Sequence, residues 1–119
     1  MDRSGGLRFR VLLCFAATAV GASAYAGGNV STAVGWNTYA QGTNSTAVGQ
    51  SSFAANTNDT AIGSGVSAIG TGSGGAAFAG GENTTATGSG AVSIGTNGGV
   101  AGKPWFCFGM RNWHAAFRR

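Results

Sequence analysis

The chain has 119 residues, enough for one domain, with 23 Gly, a single Pro and a net charge of +4. Gly at that level without a G-X-Y period excludes a collagen triple helix and leaves either a low-complexity coil or a repeat fold with small residues in its turns. The basic residues all lie at the ends, Arg3, Arg8 and Arg10 before residue 27 and Lys103, Arg111, Arg118 and Arg119 after residue 102. A nucleic-acid interface needs Lys and Arg clustered on the folded surface, so no nucleic-acid partner is expected.

The N-terminus reads as a secretory signal over residues 1–26. The three Arg form a basic n-region, residues 11–20 (VLLCFAATAV) form an apolar run, and Ala24-Tyr25-Ala26 offers an A-x-A site with cleavage between Ala26 and Gly27. The run is too short to span a bilayer as a helix. Cys14 is a poor lipidation site, because Leu12 and Leu13 precede it where small residues are needed. Cleavage would leave Cys107 as the one cysteine, which excludes an internal disulfide but not an intermolecular one.

Residues 27–102 repeat in sevens: NVSTAVG (29–35), WNTYAQG, TNSTAVG, QSSFAAN, TNDTAIG and SGVSAIG (64–70), then an irregular TGSGGAAFAGG (71–81), then ENTTATG, SGAVSIG and TNGGVAG (96–102). The seventh position is Gly35, Gly42, Gly49, Asn56, Gly63, Gly70, Gly81, Gly88, Gly95 and Gly102. Asn is the non-glycine residue that best tolerates a left-handed backbone, so the single Asn marks this column as turns with positive φ. A period of fourteen overlies the seven. Thr-Ala-[Val/Ile]-Gly units alternate with units carrying Tyr39, Phe53 or Ser67 at the fourth place, which is the mark of a repeat architecture.

A coiled coil is excluded by one Gly per heptad, at about 1 kcal/mol each in a helix, and by the absence of charged flanking pairs. The runs Thr32-Ala33-Val34, Thr46-Ala47-Val48 and Thr60-Ala61-Ile62 alternate with a period of two, as strands do. The expected fold is all-β: a parallel β-roll, or solenoid, of about five 14-residue coils. Thr32, Thr46 and Thr60 would form one ladder, Val34, Val48 and Ile62 another, and the Ala residues a third on the opposite face. A core of Ala, Val, Ile and Thr is thin, and without a disulfide its stability is expected to come from oligomerisation, with one ladder facing another chain.

Ser31-Thr-Ala-Val-Gly35, Ser45-Thr-Ala-Val-Gly49, Asp59-Thr-Ala-Ile-Gly63 and Val66-Ser-Ala-Ile-Gly70 resemble the SVAIG-type motif of YadA-like heads. The intervening units with Tyr39-Ala40 and Phe53-Ala54 resemble that family's second half-repeat. The resemblance is to trimeric autotransporter adhesins. It implies a left-handed roll, a homotrimer displayed on a Gram-negative surface, and attachment to host matrix proteins, cells or abiotic surfaces. The family's neck, stalk and four-strand membrane anchor are not recognisable here, so a truncated adhesin without an anchor is expected, exported and held at the surface or secreted. Thr stands where the family more often has Val, and residues 71–81 are three short of a full coil. A bulge is expected there, with Thr71–Gly74 as a shortened half-turn.

Other motifs yield to plainer explanations. The Asn-x-Ser/Thr triplets at Asn29, Asn44, Asn58 and Asn83 recur because the repeat recurs, and Gly72–Gly75 lacks the strand–loop–helix context of a phosphate cradle. His114 and Cys107 are too few for a metal or nucleophile site, and Asp59 and Glu82 are the only acids in the repeat, so neither an enzyme nor a cofactor is expected. Two other functions compete with adhesion. The Thr ladder suggests ice binding, although only Thr85-Ala86-Thr87 gives a two-wide Thr array, and a purely structural solenoid is the third reading. Residues 103–119 abandon the pattern and are read as an irregular tail: a cap over the last coil, an interfacial membrane segment, or the product of a frameshift. No ligand-binding residue can be named from the sequence.

Overall fold

The computed structural model describes residues 9–11, 15–70, 76–101 and 106–109. Among these residues fourteen short strands alternate between two parallel sheets. One sheet holds β1 (Phe9–Val11), β3 (Ala24–Ala26), β5 (Tyr39–Ala40), β7 (Phe53–Ala54), β9 (Ser67–Ile69), β11 (Thr85–Thr87) and β13 (Gly99–Ala101). The other holds β2 (Thr18–Val20), β4 (Thr32–Val34), β6 (Thr46–Val48), β8 (Thr60–Ser64), β10 (Phe78–Glu82), β12 (Val92–Thr96) and β14 (Phe106–Gly109). Each strand pairs with the strand two places along, so the chain winds as a parallel β-solenoid. The five coils expected between residues 29 and 102 are those built from β4 to β13.

Register follows the fourteen-residue period. Thr32 pairs with Thr46 and Thr46 with Thr60; Val34 pairs with Val48 and Val48 with Ile62. Between them Ala33, Ala47 and Ala61 point inward, as do Ala26, Ala40, Ala54 and Ala68 from the other sheet, all fully buried. The buried apolar cluster of the described residues is Ala throughout apart from Val66. Ala on both inner faces lets the two sheets approach closely. The same choice keeps each residue's contribution small, about 0.8 kcal/mol per buried methyl-sized group.

Strands also lie beyond those five coils. β2 and β3 form a further coil, with Thr18, Ala19 and Val20 paired to Thr32, Ala33 and Val34, and Tyr25 and Ala26 paired to Tyr39 and Ala40. Phe15–Gly21 and Ala22–Gly28 are therefore two more heptads, and the boundary expected after Ala26 falls inside the roll. Ala24 and Ala26 are fully buried, and the Gly27 amide donates to the Ala40 carbonyl at 2.8 Å. Hydropathy could not separate the two cases, because an Ala/Val strand that faces a core has the composition of a leader's apolar run. At the other end, β14 pairs Phe106, Cys107, Phe108 and Gly109 with Val92, Ser93, Ile94 and Gly95. Part of the segment expected to be irregular thus continues the repeat, and residues 110–119 lie outside those described.

The irregular stretch is an insertion, not a shortened coil. Ala61 pairs with Ala79, a separation of eighteen residues where Ala33, Ala47 and Ala61 are fourteen apart, so Phe78-Ala79-Gly80-Gly81 fills the Thr-Ala-Ile-Gly place with four residues to spare. The shortened half-turn expected at Thr71–Gly74 lies outside the described residues.

Candidate binding surface

The turns define the edges of the roll, and their backbone differs from the sequence expectation. Left-handed φ recurs every seven residues at the second heptad position: Val30 (56°), Asn37 (59°), Asn44 (59°), Ser51 (57°), Asn58 (63°), Asn83 (54°) and Asn97 (57°), with Ala16 and Ser23 before them. The seventh position comes two residues earlier and splits into two classes. Gly35, Gly49, Gly63, Gly81 and Gly95 have φ between 116° and 136°, a region closed to side-chain-bearing residues, and Gly63, Gly81 and Gly95 lie inside strands. A Cβ on Gly49 would also overlap the carbonyl oxygen of Gly63 in the next coil.

Gly42 and Asn56, on the opposite edge, do not have positive φ. Gly42 is required there by space alone, because a Cβ would overlap the backbone of Asn56. Asn56 therefore does not mark a left-handed position. It is accommodated where the chain leaves the regular coil after Gly70, and its side-chain amide donates to the Gly70 carbonyl at 2.7 Å. Gly70 is buried at the end of β9, Gly88 has φ of 120°, and Gly102 lies outside the described residues.

The third heptad position is a buried column in which Asp59 takes the place held by Ser45 one coil earlier and Ser31 two coils earlier. Its carboxylate accepts the amides of Asn56 at 2.9 Å, Gly70 at 2.9 Å and Ala77 at 2.8 Å. The sequence reading counted Asp59 only as a scarce acid. The available signal for a structural role was an acid standing where the two earlier units have Ser31 and Ser45. Among the described residues no group of His, Cys, Asp and Glu could hold a metal ion.

Two outward faces remain, and they differ. On the even-numbered strands, the Thr column (Thr18, Thr32, Thr46, Thr60) runs beside Val20, Val34, Val48 and Ile62, with Ile94 beyond. Val20 is 50% exposed, Ile62 42% and Ile94 37%. Gly80 interrupts the apolar column, and the Phe78 ring lies beside the gap, with Cε1 at 3.2 Å from where a Gly80 Cβ would stand. On the odd-numbered strands, Tyr25, Tyr39 and Phe53 form a half-buried column, with ring centroids 5.9 Å apart for the first pair and 6.3 Å for the second. Trp36, 55% exposed, stands on the adjoining edge. Among residues with described side chains only Glu82 is an exposed charge, since Asp59 is buried. The surface that these side chains form is thus almost wholly neutral. No helix among the described residues is long and apolar enough to cross a membrane.

Part of this roll matches a known repeat family. A family model for the YadA head domain repeat matches the chain twice, over residues 16–38 and 40–65. No curated protein and no solved structure matches the chain. The first match begins at Ala16, so it takes in β2 and β3, which the sequence reading had placed in a leader. Fourteen-residue register, an all-Ala inner face and two matched copies together make residues 16–65 a run of YadA head domain repeats.

Proposed function

We propose that the chain is an adhesive head that works as an assembly of three copies at a bacterial surface, contacting host matrix, cells or surfaces through its outward faces. The observation that carries this reading is the outward apolar column of one sheet, in which Val20, Ile62 and Ile94 are exposed and Val34 and Val48 half-buried. A single roll has little apolar surface to bury internally, because its core is Ala. Association of copies through that column would bury side chains worth about 1.5–3 kcal/mol each when fully covered. The opposite face, with its aromatic column, is then left for a ligand. Light scattering on the purified full chain tests the assembly. A trimer that becomes monomeric in Val34→Lys/Val48→Lys supports the reading, together with adhesion to immobilised matrix protein or cells that is lost in the same variant. A parent chain that stays monomeric and fails to adhere overturns it.

One observation favours ice binding as a second reading. Thr18 adds a fourth rung in register with Thr32, Thr46 and Thr60, beside the Val column. The two readings compete for the same face. Thermal hysteresis in the double Lys variant's parent, absent from the variant, would favour ice; its absence from both favours association.

A further inference from the structure

We propose that Tyr25 and Tyr39 form an oxidative cross-linking site, at which a haem peroxidase with hydrogen peroxide joins two coils of the roll by a carbon–carbon bond. They are the only two tyrosines in the chain, and β3 and β5 place them on adjacent rungs of one sheet. Along that sheet the register positions run Arg10, Tyr25, Tyr39, Phe53 and Ser67. Only the second and third are phenols, so the reaction has a single pair to join. Both tyrosines are half-buried on the outward face, with ring centroids 5.9 Å apart and planes inclined at 59°. That separation is within the range of rings in contact. Parallel rungs hold the two backbones ~4.8 Å apart, so closing the gap turns the rings about their side-chain bonds and leaves the ladder in place. The Tyr39 hydroxyl donates to the Asn37 Oδ1 at 3.3 Å, a long contact that restrains the ring little.

The chemistry balances within this pair. Each phenol gives one electron to the oxidised haem and releases its hydroxyl proton, leaving a phenoxyl radical. The unpaired spin is shared with the ring carbons next to the oxygen-bearing carbon. A bond forms between one such carbon on each ring, and the two hydrogens displaced there move to the oxygens as both rings regain aromaticity. Hydrogen peroxide takes up the two electrons and two protons and leaves as two waters. The protein loses two hydrogens in all. The new bond closes the fourteen residues between the rungs and ties the coil of β2 and β3 to that of β4 and β5. This is near one end of the described roll, and a roll in which each coil contacts only its neighbours opens from its ends. The proposal uses geometry within one chain and stands apart from the adhesive reading.

Treatment of the dilute full chain with a haem peroxidase and hydrogen peroxide tests this. The expected product runs at single-chain size on a reducing, denaturing gel, shows dityrosine fluorescence and is lighter by two hydrogens. Proteolysis and mass spectrometry should then give one peptide pair joined through Tyr25 and Tyr39. Tyr25→Phe and Tyr39→Phe should each abolish the fluorescence at single-chain size while leaving the circular dichroism spectrum unchanged. Tyr25→Phe/Phe53→Tyr should restore it by joining positions 39 and 53, whose rings are 6.3 Å apart in the parent. The yield should fall severalfold in the urea-unfolded chain, and the cross-linked roll should melt about 5 °C or more above the untreated one, as a covalent loop of this length implies. Cross-links only between chains, fluorescence that survives in either single variant, or an equal yield from the unfolded chain overturns the proposal. Cross-linking without a rise in melting temperature overturns the clamping of the two coils.

Discussion

Asp59 accepts the amide of Ala77 at 2.8 Å, although the two residues hold the same place in successive coils and stand eighteen residues apart. In the preceding coils the corresponding register spans fourteen residues, as between Thr32 and Thr46. The carboxylate also holds the amides of Asn56 and Gly70, so one side chain gathers the chain from both sides of the insertion. Asp59→Ser restores the residue found at Ser31 and Ser45 but removes the reach. Hydrogen bonds to charged groups contribute about 1.5–3 kcal/mol, so a loss of about 3 kcal/mol is expected. Thermal unfolding by circular dichroism measures it, and an unchanged melting temperature would show that the insertion closes without this anchor.

Val30 has a left-handed φ of 56° and is 53% exposed, at a position where other coils use Asn, Ser, Gly or Ala. A β-branched residue in that conformation costs about 1–2 kcal/mol. Val30→Asn should therefore stabilise the roll and raise its melting temperature by about 4–8 °C per kcal/mol gained. A lower melting temperature would mean that the exposed valine makes a contact, for example with another copy, that outweighs the strain.

Gly49 and Val30 fail in opposite senses. Gly49→Ala adds a methyl group into the Gly63 carbonyl and forces φ of 124° on a residue that avoids it. A loss above about 3 kcal/mol is expected, because both strain and overlap act. Expression with the parent's circular dichroism spectrum and melting temperature would contradict the stacking described for this column.

The first coil can be tested directly. Removal of residues 1–26 deletes β1, β2 and β3, exposes the edge of β4 and uncovers Ala33 and Ala40. A chain starting at Gly27 should melt at a lower temperature than one starting at Phe15. N-terminal sequencing of the exported protein then decides between the two uses of this segment: a start upstream of Phe15 keeps the coil, a start at Gly27 discards it.

Much of this fold is legible in the sequence because Thr-Ala-Val-Gly states it locally: alternation for a strand, then a residue that cannot be anything but Gly. The unit at residues 18–21 says the same, yet a basic stretch and an A-x-A triplet nearby offered a competing meaning for the same apolar residues. Asn56 misled for a different reason. Its column combines a conformational demand at Gly49 with a purely spatial one at Gly42, and one substitution cannot tell them apart. Cys107 was set aside with an irregular tail because Phe-Cys-Phe-Gly looks unlike Val-Ser-Ile-Gly, although β14 puts it on the Ser93 rung. Cys107→Ser, which places there the residue the neighbouring rung already carries, should accordingly leave the unfolding free energy within about 0.5 kcal/mol of the parent. A larger loss would assign the thiol a role of its own. The aromatic column was half legible, since Tyr39 and Phe53 stood out while Tyr25 was hidden in the presumed leader.

The alternation of two unlike sheets also constrains how such a chain can grow. Duplicating fourteen residues adds a rung to both sheets and leaves every column on its own side. Duplicating seven would carry all later Thr and Val residues onto the aromatic side and exchange the two faces from that point on. The four residues added before Phe78 do neither: the strands after them resume in the same columns. Length can therefore drift by whole coils or by turn insertions, while a gain or loss of one heptad would invert the surface of everything downstream.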